Sequence, residues 1–369
     1  MKRKVLFTAS GYHHLLHFHL PYIREFTKKG IEVHVACGGR IIDIPGVQKS
    51  IHLPFEKRIC SFSNFKSIKI LKRLIVEEQY DLIYTHTSLA AFFTRLSVAN
   101  LINRPRVVYM CHGYLFDDNS FLLKRKIFLQ AERIVAGQTD LLITMNAYDN
   151  FLAKKYKLGK RIVNIPGVGI DFAALDSSVQ YEDGELRKIL GISNEEFVLF
   201  CAAEFSKRKS QKSLIIAMQY LPKEVVLVLA GTGILLEQCK KLVISLGLQK
   251  RVFFPGYVTP VADWFLMADA VVSSSRSEGL PFNILEAMHF GLPIVASNVK
   301  GNADLIRNEV NGLLYPYNDP VSFAQQVRLL LGSQEVREVL GKIAQKDANR
   351  YDIKIVFPLV WEEYLSELR

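Results

Sequence analysis

A chain of 369 residues, 49% of them hydrophobic, holds enough apolar material for two cores and more than a single growing core absorbs. Five cysteines, Cys37, Cys60, Cys111, Cys201 and Cys239, stand far apart and mostly inside apolar runs, which excludes a disulfide framework or a CxxC metal site and fits a reducing compartment. The net charge of +11 is unevenly spread: residues 1–170 carry 26 basic against 12 acidic side chains (+14), and residues 171–369 carry 21 against 24 (−3). The basic half suits an anionic partner, and since the chain has neither a zinc finger nor a basic aromatic RNA-binding motif, an anionic membrane or a lipid diphosphate is expected rather than nucleic acid.

The start, Met1-Lys2-Arg3-Lys4 followed by Val5 to Ser10, reads as a buried first strand, because its apolar run is too short for a leader and passes into histidine-rich sequence. No stretch approaches the ~20 apolar residues that span a bilayer. After that strand come a loop at Gly11 to His14, a helix over Leu16 to Lys29, a break at Gly30 and a second strand at Ile31 to Cys37. Ser10-Gly11-Tyr12 permits close backbone approach by a ligand but falls short of the dinucleotide GxGxxG pattern. The loop and helix carry His13, His14, His17 and His19, and no metal is expected there. Residues 56–76 place Phe62, Phe65, Ile68, Leu71, Leu74 and Ile75 at helical spacing against Lys66, Lys69, Lys72 and Arg73, and Phe121 to Phe128 forms a second such patch. Both fit either a helix covering a sheet or a peripheral membrane contact. Strands at Asp81 to His86 and Arg106 to His112 end in histidines, where an open α/β sheet presents ligands. The last clear strand of this half is Asp140 to Thr144, with Asn146 as a helix cap.

Ile165-Pro166-Gly167-Val168-Gly169 marks a crossing point, after which residues 172–184 read as loose and polar. A buried strand at Phe197 to Ala203 then leads into the basic loop Glu204-Phe205-Ser206-Lys207-Arg208-Lys209-Ser210, suited to the concentrated negative charge of phosphoryl groups. Val225 to Ala230 is another buried strand, ending at Gly231-Thr232-Gly233. Ala270 to Ser273 is followed by Glu278-Gly279-Leu280-Pro281-Phe282 and the helix containing Glu286. Amides at a helix start favour an anion. A carboxylate beside such an anion is unfavourable unless it instead accepts hydrogen bonds from sugar hydroxyls, so Glu278 and Glu286, eight residues apart, read as a sugar and ribose clamp.

The Glu-x7-Glu spacing enclosing Gly-Leu-Pro-Phe resembles the signature of retaining glycosyltransferase family four, whose members have the GT-B fold: α/β, two Rossmann-like domains facing across a cleft. Gly291-Leu292-Pro293, Gly301-Asn302-Ala303-Asp304-Leu305-Ile306 and Asn311-Gly312 resemble its second-domain frame, as found in bacterial capsular and exopolysaccharide transferases. The resemblance implies an N-terminal domain at 1–170 facing acceptor and membrane, a nucleotide-sugar domain at 185–350, and a helix at 351–369 crossing back onto the first, with Trp361 as anchor. It places Glu278 near the donor hexose, the backbone of Gly279, Leu280, Pro281 and Phe282 at the diphosphate, Glu286 on the ribose, and Val258 beside the nucleobase. The glycine loop at Gly11 then lies by the donor, His13 or His14 contacts the acceptor, and His112 meets the transferred hexose. The family's usual arginine after the first strand of the second domain is replaced here by Glu204, while Lys209 keeps the lysine position, so Lys207 or Arg208 has to supply the missing charge.

The chain lacks the clustered Asp-x-Asp of metal-dependent transferases, so no metal or other cofactor is expected, with His112, Glu278 and Lys209 as the catalytic set. The resemblance thus implies transfer of a hexose or N-acetylhexosamine, with retention, from a UDP-sugar to an undecaprenyl-diphosphate-linked saccharide. The site of this reaction would be the inner face of the cell membrane, with the protein cytoplasmic and peripheral. A nucleotide-sugar epimerase of the same architecture, or a noncatalytic sugar-nucleotide-binding protein, is the alternative.

Overall fold

The computed structural model describes residues 3–56, 61–117, 120–182 and 184–368; Cys60 lies outside them. The chain forms two compact units, one of Met1–Gly169 with Lys354–Arg369, the other of Ile170–Ile353. In the first, seven strands form one sheet: β1 (Lys4–Ala9), β2 (Glu32–Cys37), β3 (Lys49–His52), β4 (Leu82–His86), β5 (Arg106–Cys111), β6 (Leu141–Thr144) and β7 (Arg161–Asn164). Their order is β3-β2-β1-β4-β5-β6-β7, and every pairing is parallel. Runs such as Val5 to Ala9 and Leu82 to His86 are buried along their length, as a sheet covered by helices on both faces requires. The order reverses between β1 and β4, and the carboxyl ends of strands at such a reversal open the crevice where ligands sit in doubly wound sheets.

Several elements differ from the sequence expectation. The helix read over Leu16 to Lys29 is two, Tyr12–Phe18 and Leu20–Lys28, parted at His19, because Pro21 has no N–H to carry a continuous ladder through this point. Strand β7 follows what had read as the last strand, and its four residues are short and incompletely buried, as an edge strand permits. The basic amphipathic helix runs Phe62–Glu78 with Ser61 as its cap. Asn146 caps its helix as expected, accepting from the Asp149 N–H at 2.7 Å. The helix Ile353–Ser366 packs within the first unit through buried Val356, Val360 and Tyr364. Tyr364 packs with its ring tilted against Tyr84, centroids 4.3 Å apart, while Trp361, the expected anchor, remains partly exposed against Phe26 at 4.5 Å.

The second unit holds β8 (Phe197–Ala202), β9 (Val225–Ala230), β10 (Val252–Gly256), β11 (Ala270–Ser273), β12 (Ile294–Ser297) and β13 (Leu313–Tyr315), ordered β10-β9-β8-β11-β12-β13 and again parallel. Here the reversal falls between β8 and β11. Residues 172–184, read as loose, include the helix Phe172–Asp176, capped by Asp171; Phe172 is buried and stacks on His289 at 4.2 Å. Cys37, Cys111, Cys201 and Cys239 are free and buried. Among the described residues no helix is long and apolar enough to cross a membrane.

Candidate active site

The second unit brings its charged residues together at the strand reversal. The basic loop leaves β8 and the Glu278 loop leaves the neighbouring β11, so topology alone sets the two side by side. Arg208 Nη1 donates to Ser277 O at 3.2 Å and to Glu278 Oε2 at 2.5 Å. Lys209 Nζ lies 2.7 Å from Glu278 Oε1. Glu278 is 7% exposed. Burial alone would push its carboxyl up, but Lys209 and Arg208 outweigh that and hold it below its ordinary value, so it is a carboxylate at neutral pH.

Backbone contacts fix this arrangement. Arg276 N–H donates to Arg208 O at 2.7 Å and Glu278 N–H to Lys300 O at 3.1 Å. Gly301 has φ +83°, and a Cβ there would stand 2.7 Å from Glu278 Cβ, so only glycine lets the loop after β12 press on the Glu278 backbone. Gly231 and Gly233 likewise press against Ala203 and Phe205, giving the Gly-Thr-Gly turn a packing explanation. Lys207 is exposed and lines a groove with Gln211, Lys212, Leu235 and Leu242; of the two candidates for the missing charge, Arg208 meets Glu278.

Gly279, Leu280 and Pro281 lead into the helix Phe282–His289. The Leu280 N–H finds no acceptor among the described residues, in keeping with a loop able to receive an anion. Glu286 lies on that helix, partly exposed, with no cation or hydrogen-bond donor on its carboxyl among the described residues; the loss of water around it pushes its carboxyl up to about 7. Val258 packs at the edge of the second unit's core, and neighbouring Tyr257 is largely exposed.

The first unit presents a different group. Gly11 precedes the helix Tyr12–Phe18 in an extended conformation, φ −163°, and a Cβ there would meet only Gly38 O at 3.9 Å. Packing within the chain therefore does not demand glycine at this position. The adjacent histidines point apart: His13 is exposed and stacks on His17, whereas His14 turns inward. His14 and His19 from the segment after β1, His86 at the end of β4 and His112 just after β5 converge at the carboxyl ends of these three strands. Burial, then the neighbouring His17, pushes the His14 imidazole down to about 4. Burial and the surrounding imidazoles hold His19, His86 and His112 well below the ordinary range. The sequence reading singled out His14 and His112 but not the cluster, which is assembled from segments up to 98 residues apart.

Comparison with known proteins agrees with this two-unit construction. Residues 4–146 match the family described as glycosyl transferase 4-like, and residues 182–347 match glycosyl transferases group 1. EpsD of Bacillus subtilis, named as a glycosyltransferase, is 30% identical over 356 residues, covering 95% of this chain and 93% of its own. The UDP-Gal:alpha-D-GlcNAc-diphosphoundecaprenol alpha-1,3-galactosyltransferase of Escherichia coli is 29% identical over 276 residues, covering 72% and 70%. Among solved structures, Anabaena Alr3699/HepE in complex with UDP and glucose superposes with a TM-score of 0.81 at 20% identity, covering 99% and 100%. With its paired doubly wound sheets and matches along nearly its whole length, the chain belongs to the glycosyltransferases, group 1 in its second unit and 4-like in its first, and has the GT-B fold.

Proposed function

We propose that the protein transfers a hexose or N-acetylhexosamine, with retained configuration, from a UDP-sugar to an undecaprenyl-diphosphate-linked saccharide during surface polysaccharide synthesis. The observation that carries this reading is the buried Glu278 carboxylate gripped by Arg208 and Lys209 at the β8/β11 reversal. Two cations on one buried carboxylate form a preset receptor: a donor diphosphate draws on the cations, and sugar hydroxyls replace them as partners of Glu278. Gly279 to Phe282 supply the loop and helix start for the phosphates, Glu286 the acceptor for ribose hydroxyls, and Val258 a wall for the base. On the first unit, Gly11 and His13 serve the donor and acceptor sides. His112 acts through Nδ1, because its Nε2 faces three other imidazoles.

The lipid acceptor draws support from the names of relatives, including the diphosphoundecaprenol galactosyltransferase, and from the surface of the first unit. Phe62, Phe65, Phe121, Leu122, Leu123 and Ile127 are all exposed, interleaved with exposed Lys66, Lys69, Lys124 and Lys126. This is the composition of a reversible contact with an anionic bilayer, seated on the inner membrane face.

The test incubates the purified protein with UDP- and GDP-sugars and undecaprenyl-diphosphate-linked acceptors, with products read by mass and anomeric NMR. A lipid extended by one sugar with retained configuration, and UDP released only when acceptor is present, is the expected result. An inverted product, or sugar interconversion without acceptor, rejects the reading in favour of another mechanism or an epimerase.

A further inference from the structure

His112 Nε2 lies 3.2 Å from His14 Nε2, 3.3 Å from His19 Nε2 and 3.4 Å from His86 Nδ1, and the four nitrogens all fall within 4.8 Å of one another. These contacts cannot all be hydrogen bonds. A ring nitrogen of a neutral imidazole offers either one proton or one lone pair, so His112 Nε2 satisfies one neighbour and confronts the other two. Protonating the rings does not relieve the conflict, since His19 and His86 are fully buried and no carboxylate is bonded to any of the four rings among the described residues.

A cation at the centre does relieve it. Tetrahedral zinc holds imidazole nitrogens at about 2.0–2.1 Å, which sets the nitrogen-to-nitrogen edge of the tetrahedron at about 3.3–3.4 Å. The three contacts of His112 Nε2 are of that length. Four neutral nitrogen donors select zinc, cobalt, nickel or copper over magnesium and calcium, which take oxygen. We propose that His14, His19, His86 and His112 bind one divalent transition-metal ion of the zinc class in the first unit.

With four protein ligands the site is closed, so the ion has no position left for substrate. It ties the segment after β1 to the ends of β4 and β5, and because its ligands are neutral it leaves both positive charges at the crevice of this sheet. This departs from the expectation that the chain binds no metal and that His13, His14, His17 and His19 hold none: His14 and His19 belong to the cluster, His13 and His17 lie outside it, and His86 and His112 join it only through the sheet. His19 Nδ1 and His86 Nε2, on the far sides of their rings, are buried without partners. A ligand histidine usually donates that second N–H, and sites lacking the partner bind about 10- to 100-fold more weakly, so the ion is expected to be removable by chelator. The inference does not depend on the proposed reaction.

The test uses the full chain without a histidine tag, stripped with dipicolinate and titrated with Co²⁺ and then Zn²⁺. One equivalent of Co²⁺ should bind with the intense visible bands of tetrahedral coordination, be displaced by Zn²⁺, and raise the melting temperature. His14→Ala, at a partly exposed position, should weaken Co²⁺ binding by more than the about 10- to 100-fold that losing an outer partner costs; His86→Ala should abolish it; His17→Ala should leave it intact. Absence of saturable binding, weak octahedral bands, or binding unchanged by His14→Ala overturns the proposal. Loss of binding in His34→Ala instead overturns it too, moving the ion to Glu32, His34 and Glu78, the other group of possible ligands among the described residues.

Discussion

Glu278 and Glu286, eight residues apart, meet opposite electrostatic fates: one is held charged by two cations, the other pushed up to about 7 by burial. Under the proposed reaction, Lys209→Ala should lower kcat by at least about 100-fold, since leaving-group charge grows in the transition state. Arg208→Ala should cost less, because half of its side chain is solvated and water screens it. Steady-state kinetics on both variants checks the ranking. Glu286 predicts a trade between stability and function. Its folded value lies above the ordinary 4.5, so the stability this carboxyl contributes is fully present below about pH 4.5 and lost as pH rises through about 7. Glu286→Gln should therefore be more stable than the parent at pH 8, by about 1–3 kcal/mol, with the gap closing at pH 5, while KM for the donor rises. Melting curves at the two pH values and donor kinetics decide it. A turn and a spacing mark both glutamates in the sequence. That Arg208 rather than Lys207 meets Glu278 was not legible, since three consecutive basic residues differ only in the direction the loop gives each. Nor was the four-histidine cluster, which exists only once β1, β4 and β5 are adjacent.

Helices are where sequence and structure part most. Long apolar strands such as Val225–Ala230 announce themselves, whereas β7 is four residues with partial burial, and the break at His19 depends on one proline. The helix Leu122–Ile134 shows why amphipathic reading alone falls short. Its apolar residues Leu122, Leu123, Ile127 and Ile134 face solvent, and its one buried residue is Glu132, paired at 2.9 Å with Arg95, itself buried and stacked over Tyr109. Replacing Glu132 with Ala should strand that guanidinium and cost about 3–5 kcal/mol, measurable by denaturant titration. Leu122→Ser with Leu123→Ser should leave stability nearly unchanged and lower recovery on anionic vesicles several-fold. Equal sedimentation of parent and double variant would remove this helix from the membrane contact.

Two doubly wound units were legible from the succession of buried strands and ligand-type turns; that the first borrows its last helix from beyond the second was legible only through family resemblance. Ile353–Ser366 closes the core of the first unit: Tyr364 O accepts from Tyr84 O–H at 3.2 Å, and Glu363 and Glu367 pair with Arg161. A chain stopped after Ile353 should thus lose the protease resistance of the first unit while the second keeps its own, which limited digestion with mass spectrometry would read. The same feature sets an order of events during synthesis. The seven-stranded sheet has all its strands by Asn164, yet the helix that seals it is made only after the whole second unit, about 190 residues later, or roughly 10–40 s at ordinary ribosome speeds. Throughout that interval Phe26 and Tyr84 lack their cover, so the first unit to be translated is the last to be finished, and a chaperone meeting the nascent chain has its longest business with the half that emerged first.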